Sequence, residues 1–190
     1  MAFGIDANQK LNPAGLMAVG SRQENEIAAA AYVSETGRGW VESLDIVRAA
    51  FTEADKYMEQ KANLTPPIAD VLPLLQSLAV GLKLAILSSD TVDNVQEFTR
   101  HYGIESYFVA QVGVDGYLNK TDPILLRQVL LQLGVAPAQV LVIGDSRVDI
   151  EIARSIKAGG CIGFVGGWST PLDLSGADVI ISSFSEIQVI

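Results

Sequence analysis

Two carboxylates four residues apart, a lysine and a pair of serines carry the chemistry this sequence can offer. Asp145 and Asp149 stand in Gly144-Asp145-Ser146-Arg147-Val148-Asp149, directly after the apolar run 140–143. Ser88 and Ser89 follow the apolar run 84–87, and Lys120 lies between the two runs, in Asn119-Lys120-Thr121-Asp122-Pro123. Oxygen donors of this kind suit a hard cation such as magnesium, which takes one or two carboxylates and fills its other positions with water or substrate phosphate. A lysine ammonium neutralises a phosphoryl group as a point charge. Ser88 and Ser89, with the backbone N–H groups of a helix start, can donate hydrogen bonds to phosphate oxygens. The set reads as an electrostatic cradle for phosphoryl transfer, where positioning and charge neutralisation dominate catalysis. Each member also has a plain structural use: Ser88 or Asp145 as a helix cap, Asp149 as a charge favoured near a helix N-terminus, Lys120 as surface charge. Their order, spacing and shared placement at strand ends favour the chemical reading.

Those placements depend on the elements around them. From residue 82 onward, short apolar runs alternate with amphipathic segments. Strands are expected over 82–87, 107–112, 140–143, 161–165 and 179–181, with helices carrying Val92, Val95, Phe98 and Tyr102, then Leu126, Val129, Leu130 and Leu133, then Val148, Ile152 and Ile156. Strands apolar throughout and separated by helices predict an α/β fold with a doubly wound, Rossmann-like parallel sheet covered on both faces. In such sheets ligands bind beyond the carboxyl ends of the strands, where Ser88 and Asp145 fall. Residues 1–64 read differently. Trp40, Leu44, Val47, Phe51, Ala54 and Met58 recur at steps of four and three, and the Ala-rich stretch 25–35 precedes them, so two packed antiparallel helices are expected. Thr65-Pro66-Pro67 marks the boundary and is expected to open the next helix. The division is therefore a helical module over 1–64 and an α/β core over 65–190.

Composition narrows the function. The 190 residues include 13 Lys and Arg against 22 Asp and Glu, a net charge of −9, which disfavours a partner as acidic as nucleic acid. Hydrophobic residues make up 49% and charged ones 18%, the balance of a chain that packs a core. The single cysteine, Cys161, sits in an apolar run and fits a core role in a reducing, cytoplasmic setting. No secretory signal or membrane span is legible, because the apolar stretch 71–87 is broken by Pro73, Gln76 and Lys83. His101 is the only histidine, which argues against a histidine metal cluster or a Ser-His-Asp triad. Gly159-Gly160-Cys161-Ile162-Gly163 looks like a dinucleotide loop but is followed by a strand, so it fails that test. Gly166-Gly167-Trp168 follows a strand end and can line a pocket there, or equally form an exposed turn.

The series 84–89, Lys120 and 140–150 resembles the second, third and fourth motifs of the haloacid dehalogenase-like hydrolases, most closely the phosphoglycolate phosphatase type. The likeness spans roughly residues 66–190, and Gly-Asp-Ser-x-x-Asp-Ile is its most specific part. It implies magnesium (Mg2+) and hydrolysis of small phosphate monoesters through a phosphoaspartyl intermediate. Carried over, Ser88 and Ser89 bind the phosphoryl group, Lys120 stabilises it with the nucleophile, Asp145 holds the metal and Asp149 supports that site. The helical first third resembles the cap of such enzymes, incomplete at its own start. Thr121-Asp122-Pro123 and Ser89 are mild departures from the family pattern. The larger one is the first motif, an apolar strand ending Asp-x-Asp-Gly-Thr that supplies nucleophile and general acid. Its nearest counterpart is Ala2-Phe3-Gly4-Ile5-Asp6-Ala7-Asn8, where Asp6 is a weak candidate nucleophile and Asn8 cannot serve as the acid. Asp6 and Asn8 are better expected in a turn, and the central strand of the sheet is expected to be missing from these residues. The competing readings are a catalytically inactive binding or regulatory module, and more weakly a receiver-type signalling domain. Oligomeric state is not legible.

Overall fold

A computed structural model describes residues 3–58, 61–116 and 118–189. The chain opens with four helices: α1 (Leu16–Val19), α2 (Arg22–Ser34), α3 (Trp40–Asp55) and α4 (Lys61–Leu64). Ser21 and Glu24 form a reciprocal cap at the start of α2, each side chain accepting from the other's backbone N–H. Arg22 at that start donates to Asp55 at the end of α3 at 2.9 and 3.0 Å, so the two helices run antiparallel, as the periodicity predicts. The contact face is narrower than the stripe read from sequence. Ser43 and Val47 are the buried residues of α3, while Trp40 remains 47% exposed.

The second part alternates helix and strand: α5 (Val71–Leu78), β1 (Leu84–Leu87), α6 (Val92–His101), β2 (Phe108–Val112), α7 (Pro123–Leu133), β3 (Leu141–Gly144), α8 (Arg147–Ser155), β4 (Gly160–Phe164) and β5 (Val179–Ile181). All five expected strands are present, with ends shifted by up to two residues. The helix expected to open at Thr65-Pro66-Pro67 begins instead at Val71, after Asp70. A residue followed by proline is disfavoured in the helical region, and here 65 lies in a bend and 66–68 carry no regular structure. Asp122 caps α7, accepting from Ile124 N–H at 2.8 Å with Pro123 in the first turn, and Gly134 closes it at φ +63°.

The strands are parallel, as expected, and among the described residues form two sheets, β1–β2 and β3–β4–β5. Ser88 N–H bonds Val112 C=O, so by alternation the backbone groups of Ala85 and Leu87 point away from β2. Val140 C=O likewise bonds toward β4, leaving those of Leu141 and Ile143 on the other edge. Among the described residues no strand pairs with either edge. Leu141 is accordingly 56% exposed and Ile143 37%, unlike members of a central strand. Ile150, Ala153, Cys161 and Leu174 make one core under β4, and Val112, Val114 and Leu125 another beside β2. Cys161 thus has the core role expected of it. No helix among the described residues is long and apolar enough to cross a membrane.

Candidate active site

Strands β1 and β3 both end at one cleft of about 900 Å³. Ser88, Ser89 and Asp90 reach it from β1, Lys120 from the turn before α7, and Asp145 and Ser146 from β3. The opposite wall comes from the first helices, through Met17, Arg22, Phe51 and Asp55. Four of the six residues singled out from sequence therefore share one space.

After β1 the chain turns sharply. Thr91, not Ser88, caps α6, accepting from Asn94 N–H at 3.3 Å. Ser88 Oγ accepts from Asp90 N–H at 3.1 Å, and Ser89 Oγ donates to the Val19 carbonyl at 3.3 Å. A side chain on Gly113 would strike the backbone of Asp90, Thr91 and Val92, so this glycine lets β2 approach the turn. Asp90 itself is tied to Lys61 Nζ at 2.8 Å and Asn94 Nδ2 at 2.6 Å. Burial alone favours its neutral acid. The Lys61 and Asn94 hydrogen bonds, the lysine charge and the Thr91 N–H outweigh that and hold the carboxyl below its ordinary range. From the sequence Asp90 is legible as a strand-end carboxylate beside the two serines, whereas nothing in the local pattern points to Lys61.

Asp149 lies beneath the cleft floor, 4% exposed. Its Oδ1 accepts from Lys120 Nζ at 2.6 Å, and its Oδ2 accepts from Ser146 Oγ at 2.7 Å and Ser146 N–H at 3.1 Å. Ser146 in turn caps α8. Both carboxylate oxygens are thus committed to the protein, and the pair fixes where the lysine stands. Gly144 makes room for it, because a Cβ there would overlap the Asp149 side chain. Gly144→Ala is expected to cost about 1–3 kcal/mol of stability, the range for forced overpacking, as measured by urea denaturation, with Gly81→Ala, where a Cβ meets nothing within 4 Å, as the comparison.

Asp145 is exposed to the cleft. Its Oδ2 accepts from Trp168 Nε1 at 2.8 Å, and Oδ1 has no donor among the described residues. Trp168 comes from the Gly-Gly-Trp turn after β4, the feature read as able to line a pocket.

Asp6 takes no part. Ile5 and Leu11 form an antiparallel bridge, and Asp6 Oδ1 caps the turn between them, accepting from the N–H of Asn8 and Lys10 at 2.8 Å each. That is the turn expected for it; Ala2, the start of the apolar run, lies outside the described residues.

A family model described as haloacid dehalogenase-like hydrolase matches residues 19–160. The phosphoglycolate phosphatases of Escherichia coli K12 and Shigella boydii are each 36% identical over 157 residues, covering 77% of this chain. The chain spans 58% of those relatives' length. Among solved structures, a predicted phosphoglycolate phosphatase from Haemophilus somnus superposes with a TM-score of 0.65 at 24% identity, over 76% of this chain and 65% of that one. A phosphatase from Thermococcus onnurineus gives 0.61 at 17% identity, over 86% of each. With the strand-end serines, lysine and aspartates in one cleft and the family model over most of the sequence, the chain belongs to the haloacid dehalogenase-like hydrolases.

Proposed function

We propose that this protein works as a magnesium-dependent phosphatase on small phosphate monoesters in the cytoplasm, with residues 1–64 as a helical cap over a core of 65–190. The observation carrying this reading is the convergence of Ser88, Lys120 and Asp145 on one cleft. Ser88 and Ser89 bind the phosphoryl oxygens by hydroxyl and backbone N–H. Lys120, held by Asp149, neutralises the charge that builds on phosphorus and its attacking oxygen. The nucleophile is a carboxylate on a further strand lying between β1 and β3, whose free edges both run to this cleft. Its oxygen bonds to phosphorus while the ester P–O bond breaks, an acid protonates the leaving oxygen, and water then hydrolyses the acyl phosphate.

The donor set fits magnesium. Among the described residues no three His, Cys, Asp or Glu side chains cluster for a metal. A magnesium site needs only one or two carboxylates besides phosphate and water. Asp145 Oδ1 supplies one, the strand nucleophile supplies another, and Asp149 supports the site from behind by orienting Lys120 and Ser146. Bound there, the cation polarises the phosphoryl oxygens as a Lewis acid.

The test is hydrolysis of phosphoglycolate and p-nitrophenyl phosphate with Mg2+ by the chain carrying such a strand at its N-terminus. Asp145→Asn is expected to lower kcat at least about 100-fold, the scale for losing one electrostatic stabiliser, with unchanged circular dichroism. Hydrolysis that survives in Asp145→Asn overturns the proposal. Orthophosphate binding without turnover in the strand-bearing chain would instead favour an inactive binding module.

A further inference from the structure

The loop after β4 brings one side chain against Asp145, a residue that lines the cleft. Trp168 N–H closes a turn onto Val165 C=O at 3.3 Å. Gly166 packs so tightly against the Ser182 carbonyl that a Cβ would overlap it. With the turn pinned in this way, the half-buried indole reaches across to β3 and donates from Nε1 to Asp145 Oδ2 at 2.8 Å. An aspartate at the end of an exposed strand has free χ1 and χ2 rotation, and one oxygen held by a fixed donor removes most of it. The other oxygen, Oδ1, has no competing donor among the described residues, and Asp145 itself lines the cleft.

From this geometry we infer that Trp168 is a positioning residue for the cation site, holding Asp145 so that Oδ1 is preset as a ligand. The inference rests on the reading of Asp145 as the cation ligand. A carboxylate ligand that is itself hydrogen-bonded binds metal more tightly, and loss of such a partner costs about 10–100-fold in affinity. The contact also makes the indole N–H a direct sensor of what happens at Asp145.

The experiment uses the full chain in a Trp40→Phe background, which leaves a single indole; Trp40 lies on α3, away from the cleft. Two quantities are measured: the indole N–H resonance in a 15N-correlated spectrum, and Mn2+ affinity from the electron paramagnetic resonance signal of the free ion. The indole resonance is expected to move on Asp145→Ala and, saturably, on titration with MgCl2. Trp168→Phe is expected to weaken Mn2+ binding about tenfold or more while leaving the far-ultraviolet spectrum unchanged. A purely structural tryptophan, still bonded to Asp145, would move with Asp145→Ala but leave Mn2+ affinity unchanged when replaced by phenylalanine. If Asp145→Ala loses Mn2+ but Trp168→Phe binds it as tightly as the parent, this inference falls and the cation reading stands. If Asp145→Ala also keeps full affinity, both fall.

Discussion

Replacing Lys120 by methionine is expected to destabilise the protein by about 3–5 kcal/mol, the cost of stranding a buried charge. Asp149 is the charge left behind, 4% exposed and with Lys120 Nζ as its one cationic partner, at 2.6 Å. Most ion pairs in this chain are different in kind. Lys56–Glu53 and Arg154–Asp178 have side chains about half or more exposed, and such solvated pairs contribute little. A second substitution separates stability from chemistry. In Lys120→Met with Asp149→Leu the stranded charge is gone, and a buried pair replaced by apolar residues is often neutral in stability. The double variant should therefore recover most of the loss, short of about 1 kcal/mol for the cap interaction that Asp149 makes with Ser146. Phosphate binding, in contrast, should be lost in both variants, because Lys120 is gone from the cleft and the other ammonium that lines it, Lys61 Nζ, is already paired with Asp90. Guanidinium denaturation and calorimetric titration with orthophosphate read the two effects. Recovery of phosphate binding in the double variant would show that Lys120 is a structural partner of Asp149 and nothing more.

How far this arrangement could be read from the sequence differs from residue to residue. Ser88, Lys120 and Asp145 were legible because apolar runs locate strand ends, and strand ends in a parallel sheet share one side. What a residue bonds to there is not encoded in local pattern. Asp149 was expected alongside Asp145, but its carboxylate turns inward to Lys120, 29 residues away in sequence. Trp168 was legible only as a side chain near a strand end; its contact with Asp145 depends on Gly166 lying against Ser182, a meeting of two loops. Lys61 escaped notice because its partner, Asp90, also lies 29 residues off. The fold shows the same division. Periodicity located every strand, since each carries its own apolar run. It misplaced the start of α5, where two prolines that suit a first helical turn are instead followed by a turn at 69–70 before the helix begins. Pairing between strands is a property of the whole set, so the gap in the sheet was legible only through the family resemblance, which implies a central strand missing from these residues: β1 and β3 are each sound strands, yet nothing among the described residues joins them.

That unjoined pair carries the second large effect. An apolar strand ending in Asp-x-Asp, attached at the N-terminus, is expected to insert between β1 and β3 and raise the melting temperature by roughly 10 °C. A parallel strand there completes about four backbone hydrogen bonds, each worth about 1 kcal/mol net, and in a chain of this size each kcal/mol moves the midpoint by about 2–4 °C. The insertion has a residue-level signature that does not depend on catalysis. By the alternation of the ladders, the N–H groups of Ala85, Leu87, Leu141 and Ile143 face the new strand. Their amide exchange should slow, while Ile86 and Val142, already turned toward β2 and β4, change little. A proline placed mid-strand removes a donor that the ladder needs and should abolish both effects. Exchanging the first aspartate of the pair for asparagine keeps the strand in place but removes the attacking oxygen, so protection should persist while hydrolysis stops. Were the four amides to exchange as fast with the strand as without it, β1 and β3 would be true edges, and the nucleophile would have to reach Ser88 and Lys120 from elsewhere.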